Sequence, residues 1–148
     1  MSNKIPPPIV TLFFGLCIYL SRPYFPEFNV SILGYLSTFS FLVGIIVFAT
    51  AVSSFKKQKT TVNPISIEKA SSLVVNGVFK YSRNPMYLGM SFILLGLVFK
   101  FNVIGGLLFT SMFMLFITIF QIKPEEAAME KLFDQEWKDY TKNVRRWL

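Results

Sequence analysis

Two short groups of side chains carry the chemistry legible in this chain. One is Arg83-Asn84-Pro85-Met86-Tyr87, at the end of the stretch LVVNGVFKYSRNPMYLG that runs from Leu73 to Gly89; the other is Glu125-Glu126. An arginine pairs with a ligand carboxylate, and a glutamate accepts hydrogen bonds from ribose hydroxyls or an ammonium group. The apolar Leu73, Val74 and Phe79 offer a surface for an aromatic base. The set suits an anionic or dipolar ligand. A plainer structural reading stands beside it: Arg83 snorkels, the two glutamates cap a helix, and Tyr87 is an interface aromatic.

Local signals say how the first group is held. Asn76-Gly77 is a turn signal flanked by Leu73-Val74-Val75 and Val78-Phe79, which predicts a short β-hairpin-like segment. Asn84-Pro85 restricts Asn84 to an extended backbone and puts Pro85 in the first turn of a helix. A turn, an arginine and a helix start follow one another within a dozen or so residues.

The elements around this stretch are hydrophobic. Of 148 residues, 53% are hydrophobic and only 16% charged, with a mean hydropathy of +0.50. Soluble domains carry about 25% charged residues. The apolar residues also fall in blocks, so the fold class is an all-α integral membrane protein. The chain has no histidine and one cysteine, Cys17, in an apolar run. That argues against a His general base, a His-ligated metal and a disulfide framework, and no metal site is expected. The net charge of +7 fits Lys/Arg retained beside a membrane better than nucleic-acid binding.

The blocks predict a single membrane domain over residues 1–148 with about four transmembrane helices. Helix 1 is expected at 9–25 and helix 2 at 30–55, followed by a cytoplasmic segment at 56–84 with a loop signal at Thr60 to Pro64. A helical hairpin is expected at 85–122, broken at Lys100-Phe101-Asn102. Gly89 and Gly96 sit seven apart and share one of its faces, where small residues allow close packing. Lys123-Pro124 reads as the end of the membrane part, and 124–148 as an amphipathic helix and tail. There Met129, Leu132, Phe133, Trp137 and Tyr140 form one stripe. Glu125 and Glu126 would lie in its first turn, favoured by the helix dipole. Six Lys/Arg fall between Lys56 and Arg83 and six between Lys123 and Arg146, so both regions are expected on the cytoplasmic side. That brings the two candidate groups to one face.

The pattern Leu73-Val74-x-x-Gly77-x-Phe79-x-x-x-Arg83-Asn84-Pro85-x-Tyr87-x-Gly89, followed by Glu125-Glu126, resembles the isoprenylcysteine carboxyl methyltransferase and phospholipid methyltransferase superfamily. The resemblance covers roughly residues 60 to 147. It implies a multi-pass membrane enzyme that transfers a methyl group from S-adenosylmethionine to a lipid or other lipophilic acceptor. By the same resemblance the cofactor is cradled by Ser71, Ser72, Leu73 and Val74, by Phe79, by Arg83, Asn84, Pro85, Met86 and Tyr87, and by Glu125. Gln121 and Glu126 fall on the acceptor side. Asn84 stands where many of the carboxyl methyltransferases have histidine. Gln121 stands where the isoprenylcysteine enzymes have a substrate-contacting arginine, which disfavours a carboxylate-bearing prenylated acceptor.

Methyl transfer from a sulfonium is an in-line displacement that depends on proximity and orientation. A carboxylate or thiolate acceptor needs no base, so a chain without histidine suits this reaction better than hydrolysis. No catalytic base is assigned, with Glu126 and Tyr87 as the only candidates. Two other readings are a membrane reductase of the steroid-reductase type, for which a chain this short leaves little room for NADPH, and a non-catalytic membrane scaffold.

Overall fold

The computed structural model describes residues 5–57 and 72–148. Among these the chain forms five α-helices and no strand: α1 at Pro7–Leu20, α2 at Ser31–Lys57, α3 at Pro85–Phe101, α4 at Val103–Ile117 and α5 at Lys123–Asn143. The loop signal at Thr60 to Pro64 and Ser71 lie outside the described residues.

Prolines open α1 and α3 at the first turn, where a missing N–H costs no hydrogen bond. Helices α1 to α4 are apolar all round, the pattern of helices surrounded by protein or lipid. Two helical runs, Ser31–Lys57 and Val103–Asn143, are long and apolar enough to cross a membrane, while α1 and α3 are shorter apolar helices. Leu12, Phe13 and Leu16 of α1 and Tyr35, Phe39 and Ile46 of α2 are exposed. A continuous apolar exterior of this kind belongs against lipid.

The core is built on α3, which packs most extensively on α2. Their crossing is a backbone contact between two glycines. A Cβ on Gly89 would stand 2.8 Å from the Gly44 carbonyl oxygen and 2.9 Å from the Phe48 nitrogen. One face further on, Gly96 lies under the Phe41 ring, and Ser37 Oγ donates to the Gly96 carbonyl at 2.8 Å. The shared face of Gly89 and Gly96 is therefore the α2 face. On the other side Val10, Phe14 and Ile18 of α1 join Leu94, Val98, Phe113 and Ile117 in one buried cluster. Asn102 is the single residue between α3 and α4. Its extended backbone makes the break, its Oδ1 accepts from Gly105 N at 3.0 Å, and its Nδ2 donates to Ser21 Oγ at 3.1 Å.

Two expectations are corrected here. The segment around Asn76-Gly77 is not a β-hairpin. Gly77 adopts a left-handed φ of 65° and opens a 3₁₀ turn over Gly77–Lys80. Its flanks are too short for a ladder, and their side chains are taken by other elements: Val74, Val78 and Phe79 pack with Ala51 and Phe55 of α2. The second correction concerns Lys123-Pro124, which does not break the helix. A π turn over Thr118–Ile122 links α4 to α5 without a loop. Proline's ring collides with a regular helix one turn upstream, and a π turn directly before it opens that position. Glu125 and Glu126 consequently have no free helix N-terminus beneath them, and the dipole argument for them does not hold.

Candidate functional site

The site forms where the 72–84 segment, the start of α3 and α5 converge. Helix α5 departs from helical geometry at Asp134, with φ 32° and ψ −100°. Beyond this kink Trp137 and Tyr140 are buried with Leu73 and Val144. Tyr140 Oη donates to the Phe79 carbonyl at 2.7 Å, which fastens the 3₁₀ turn to α5. The Arg83 guanidinium lies 5.7 Å from the centre of the Trp137 ring, a cation–π contact.

The two acidic residues do different things. Glu126 is clamped between arginines from distant parts of the chain: Arg83 Nη2 at 3.2 Å and Arg146, whose Nη2 donates at 2.7 Å and whose Nε lies 3.1 and 3.2 Å from the two carboxylate oxygens. The side chains of Arg83 and Glu126 are 14% and 15% exposed, so loss of either partner would leave a largely buried charge uncompensated. Hydrogen bonding to Glu126 raises the Arg146 pKa above the ordinary arginine value. Glu125 instead receives two hydrogen bonds on one oxygen. Tyr87 Oη donates to Oε1 at 2.6 Å and Gln121 Nε2 donates to the same atom at 2.7 Å.

The tail is stitched across the arginine motif. Arg83 N–H donates to the Arg145 carbonyl at 3.0 Å, and Asn84 Nδ2 donates to the Arg146 carbonyl at 3.0 Å. Trp147 packs against the main core cluster. Asn84 thus spends its side-chain amide on the backbone of the tail.

A cavity lies in the middle of these contacts. Phe55, Leu73, Val74, Phe79, Met129, Trp137 and Tyr140 make its apolar wall, and Ser72, Arg83, Asn84, Glu125 and Glu126 its polar wall. The space open to the centre of a water-sized sphere measures about 90 Å³, and the cavity opens outward. With about 10–15 Å³ of such space needed per water, the cavity admits several waters or a polar ligand group of that size. Ser72 Oγ and Arg83 Nε are buried in this wall with no hydrogen-bond partner among the described residues. Buried polar atoms left unpaired are costly, and a ligand carboxylate or hydroxyl would satisfy both.

Of the residues singled out from sequence, Ser72, Leu73, Val74, Phe79, Arg83, Asn84, Glu125 and Glu126 come together on the cavity. Pro85, Met86, Tyr87 and Gln121 stand outside its wall. Pro85 is fully buried at the start of α3, Met86 packs on Val74 and Phe79, and Tyr87 and Gln121 sit behind Glu125. Phe55, Met129, Trp137, Tyr140 and Arg146 are additions. The stripe Met129, Leu132, Phe133, Trp137 and Tyr140 is visible in the sequence, but its period does not tell a lipid-facing stripe from one that covers a site, and Leu132 is in fact exposed. Arg146 had no local signal beyond its charge.

No curated protein and no solved structure matches the chain. The phospholipid methyltransferase family matches residues 32–136, a span that includes α2, α3, α4 and every cavity residue except those beyond the first part of α5. With well over half of its length matched in this way, the chain belongs to the phospholipid methyltransferase family.

Proposed function

We propose that the protein transfers a methyl group from S-adenosylmethionine to a lipophilic acceptor at the cytoplasmic face of a membrane. Membership in a membrane methyltransferase family gives the reaction class. The observation that carries the cofactor is the cavity itself: an aromatic and aliphatic wall faces two unpartnered donors, Ser72 Oγ and Arg83 Nε, with a carboxylate beside them. A nucleoside joined to an amino acid has a complement for each part.

In this reading Leu73, Val74, Phe79 and Trp137 hold the aromatic base. Arg83, kept in place by Glu126 and Trp137, turns its free Nε–H toward a carboxylate. Glu125 accepts from an ammonium or a ribose hydroxyl. Bound S-adenosylmethionine supplies a sulfonium methyl for in-line displacement, and the protein's part is to orient it and exclude water. A lipid acceptor approaches from the bilayer on the side of the π turn after α4, where Ile119 and Phe120 are exposed. Helices α1 to α4 cross the membrane, and the two basic segments around the site set its cytoplasmic orientation.

Calorimetric titration of the detergent-purified protein with S-adenosylhomocysteine tests the cofactor. Saturable binding is expected, weakened at least tenfold by Glu125→Ala or Arg83→Ala, since each removes charge-assisted hydrogen bonds worth about 1.5–3 kcal/mol. Absence of binding up to millimolar ligand would sink the proposal. Transfer of a tritiated methyl group into a total lipid extract, followed by separation of the products, then finds the acceptor.

A further inference from the structure

We infer that Tyr87 and Gln121 are positioning residues for Glu125, and that they do not contact the cofactor themselves; this rests on the methyltransferase reading. Both donate to the same carboxylate oxygen, Oε1, at 2.6 and 2.7 Å. They arrive from different elements, Tyr87 from the first turn of α3 and Gln121 from the π turn one helical turn before Glu125. With Oε1 held from two directions, Oε2 accepts no hydrogen bond among the described residues and is the oxygen turned to a ligand. Glu125 belongs to the cavity wall, whereas neither of its two donors does.

The donors are themselves immobilised. Tyr87 belongs to the main core cluster together with Met90 and Ile122, and its carbonyl accepts from Ser91 Oγ at 3.0 Å. Gln121 is 4% exposed and sits in the π turn, a geometry that recurs where a helix must place one side chain for function. A carboxylate supported by two packed donors is presented in one orientation before a ligand arrives, so little rotamer freedom is lost on binding.

The test compares a positioning role with simple helix adhesion. Tyr87→Phe and Gln121→Met are made singly in the wild type and in a Glu125→Gln background. The full chain is titrated with S-adenosylhomocysteine, and thermal unfolding is recorded for each variant. In the wild-type background each substitution is expected to weaken binding about fivefold or more with little change in unfolding temperature. In the Glu125→Gln background, where the charged group they orient is gone, each should change binding less than twofold. Equal losses in both backgrounds, or unchanged binding in the wild-type background, would overturn the inference alone. Failure of the wild type to bind would overturn the methyltransferase reading together with it.

Discussion

Glu126→Ala is expected to lower the unfolding temperature of the detergent-purified protein by more than any other single polar substitution around the cavity. The change leaves the largely buried Arg83 guanidinium and its neighbour Arg146 without an anion between them. Removing one partner of a buried ion pair costs about 3–5 kcal/mol, and the partial exposure of Arg146 argues for about 3. Three segments loosen together, because Glu126 joins α5 to the arginine motif and to the tail. Trp137, beside Arg83, and Trp147, in the tail, make intrinsic fluorescence a direct report of the loss. Restoring apolar balance with the double change Arg83→Met and Glu126→Leu should recover part of the stability while leaving ligand binding lost. If Glu126→Ala unfolds at the wild-type temperature, the ion pair is not a structural joint.

Gly89→Val is the second large effect. The new Cβ would meet the Gly44 carbonyl oxygen at 2.8 Å and the Phe48 nitrogen at 2.9 Å, both backbone atoms with no freedom to swing away. Overpacking costs typically about 1–3 kcal/mol, and backbone on both sides puts this case at the upper end. Helix α2 must shift from α3, and Arg83 and Tyr87, which flank the start of α3, shift with it. The expected result is a lower unfolding temperature and loss of S-adenosylhomocysteine binding. Gly34→Ala is the control. A Cβ there meets nothing within 4 Å, so the change should be neutral or, through helix propensity, stabilising by up to about 1 kcal/mol. Equal behaviour of the two variants would show that the glycine crossing is not a tight contact.

Much of this arrangement is legible in the residues. Blocks of apolar sequence predict helices, and the start of α3 at Pro85 follows from proline's missing N–H. The heptad spacing of Gly89 and Gly96 marks the face that α2 covers. The meeting of Arg83 with the Glu125-Glu126 pair follows from the distribution of basic residues. What the sequence does not disclose is how these groups divide their work. Arg83 and both glutamates are equally ready to bind a ligand as read from a list. Only the fold reveals that Arg146 occupies Glu126 and that Tyr87 and Gln121 occupy one oxygen of Glu125. The Asn76-Gly77 turn misleads for a related reason: turn chemistry is local, but whether its flanks pair depends on which distant side chains reach them first. Pro124 misleads because a π turn, invisible to periodicity, absorbs it.

That uninterrupted passage from α4 into α5 makes the site answerable to the bilayer. A loop after Ile122 would let the apolar part tilt while the site stayed still, but a single helical run has no such joint. Thr110 lies about 22 Å from Glu125 along the helix, at 1.5 Å per residue, so a tilt of about 10° carries the carboxylate sideways by about 4 Å. Tilting is how a helix adapts to a thinner or thicker hydrocarbon layer. In the proposed membrane placement, lipid acyl length becomes a control on the geometry of the cavity. Reconstitution in a series of phosphatidylcholines of increasing chain length should give an optimum in affinity for S-adenosylhomocysteine. A flat response would mean that α2 and α3 hold the site rigid against the surrounding lipid.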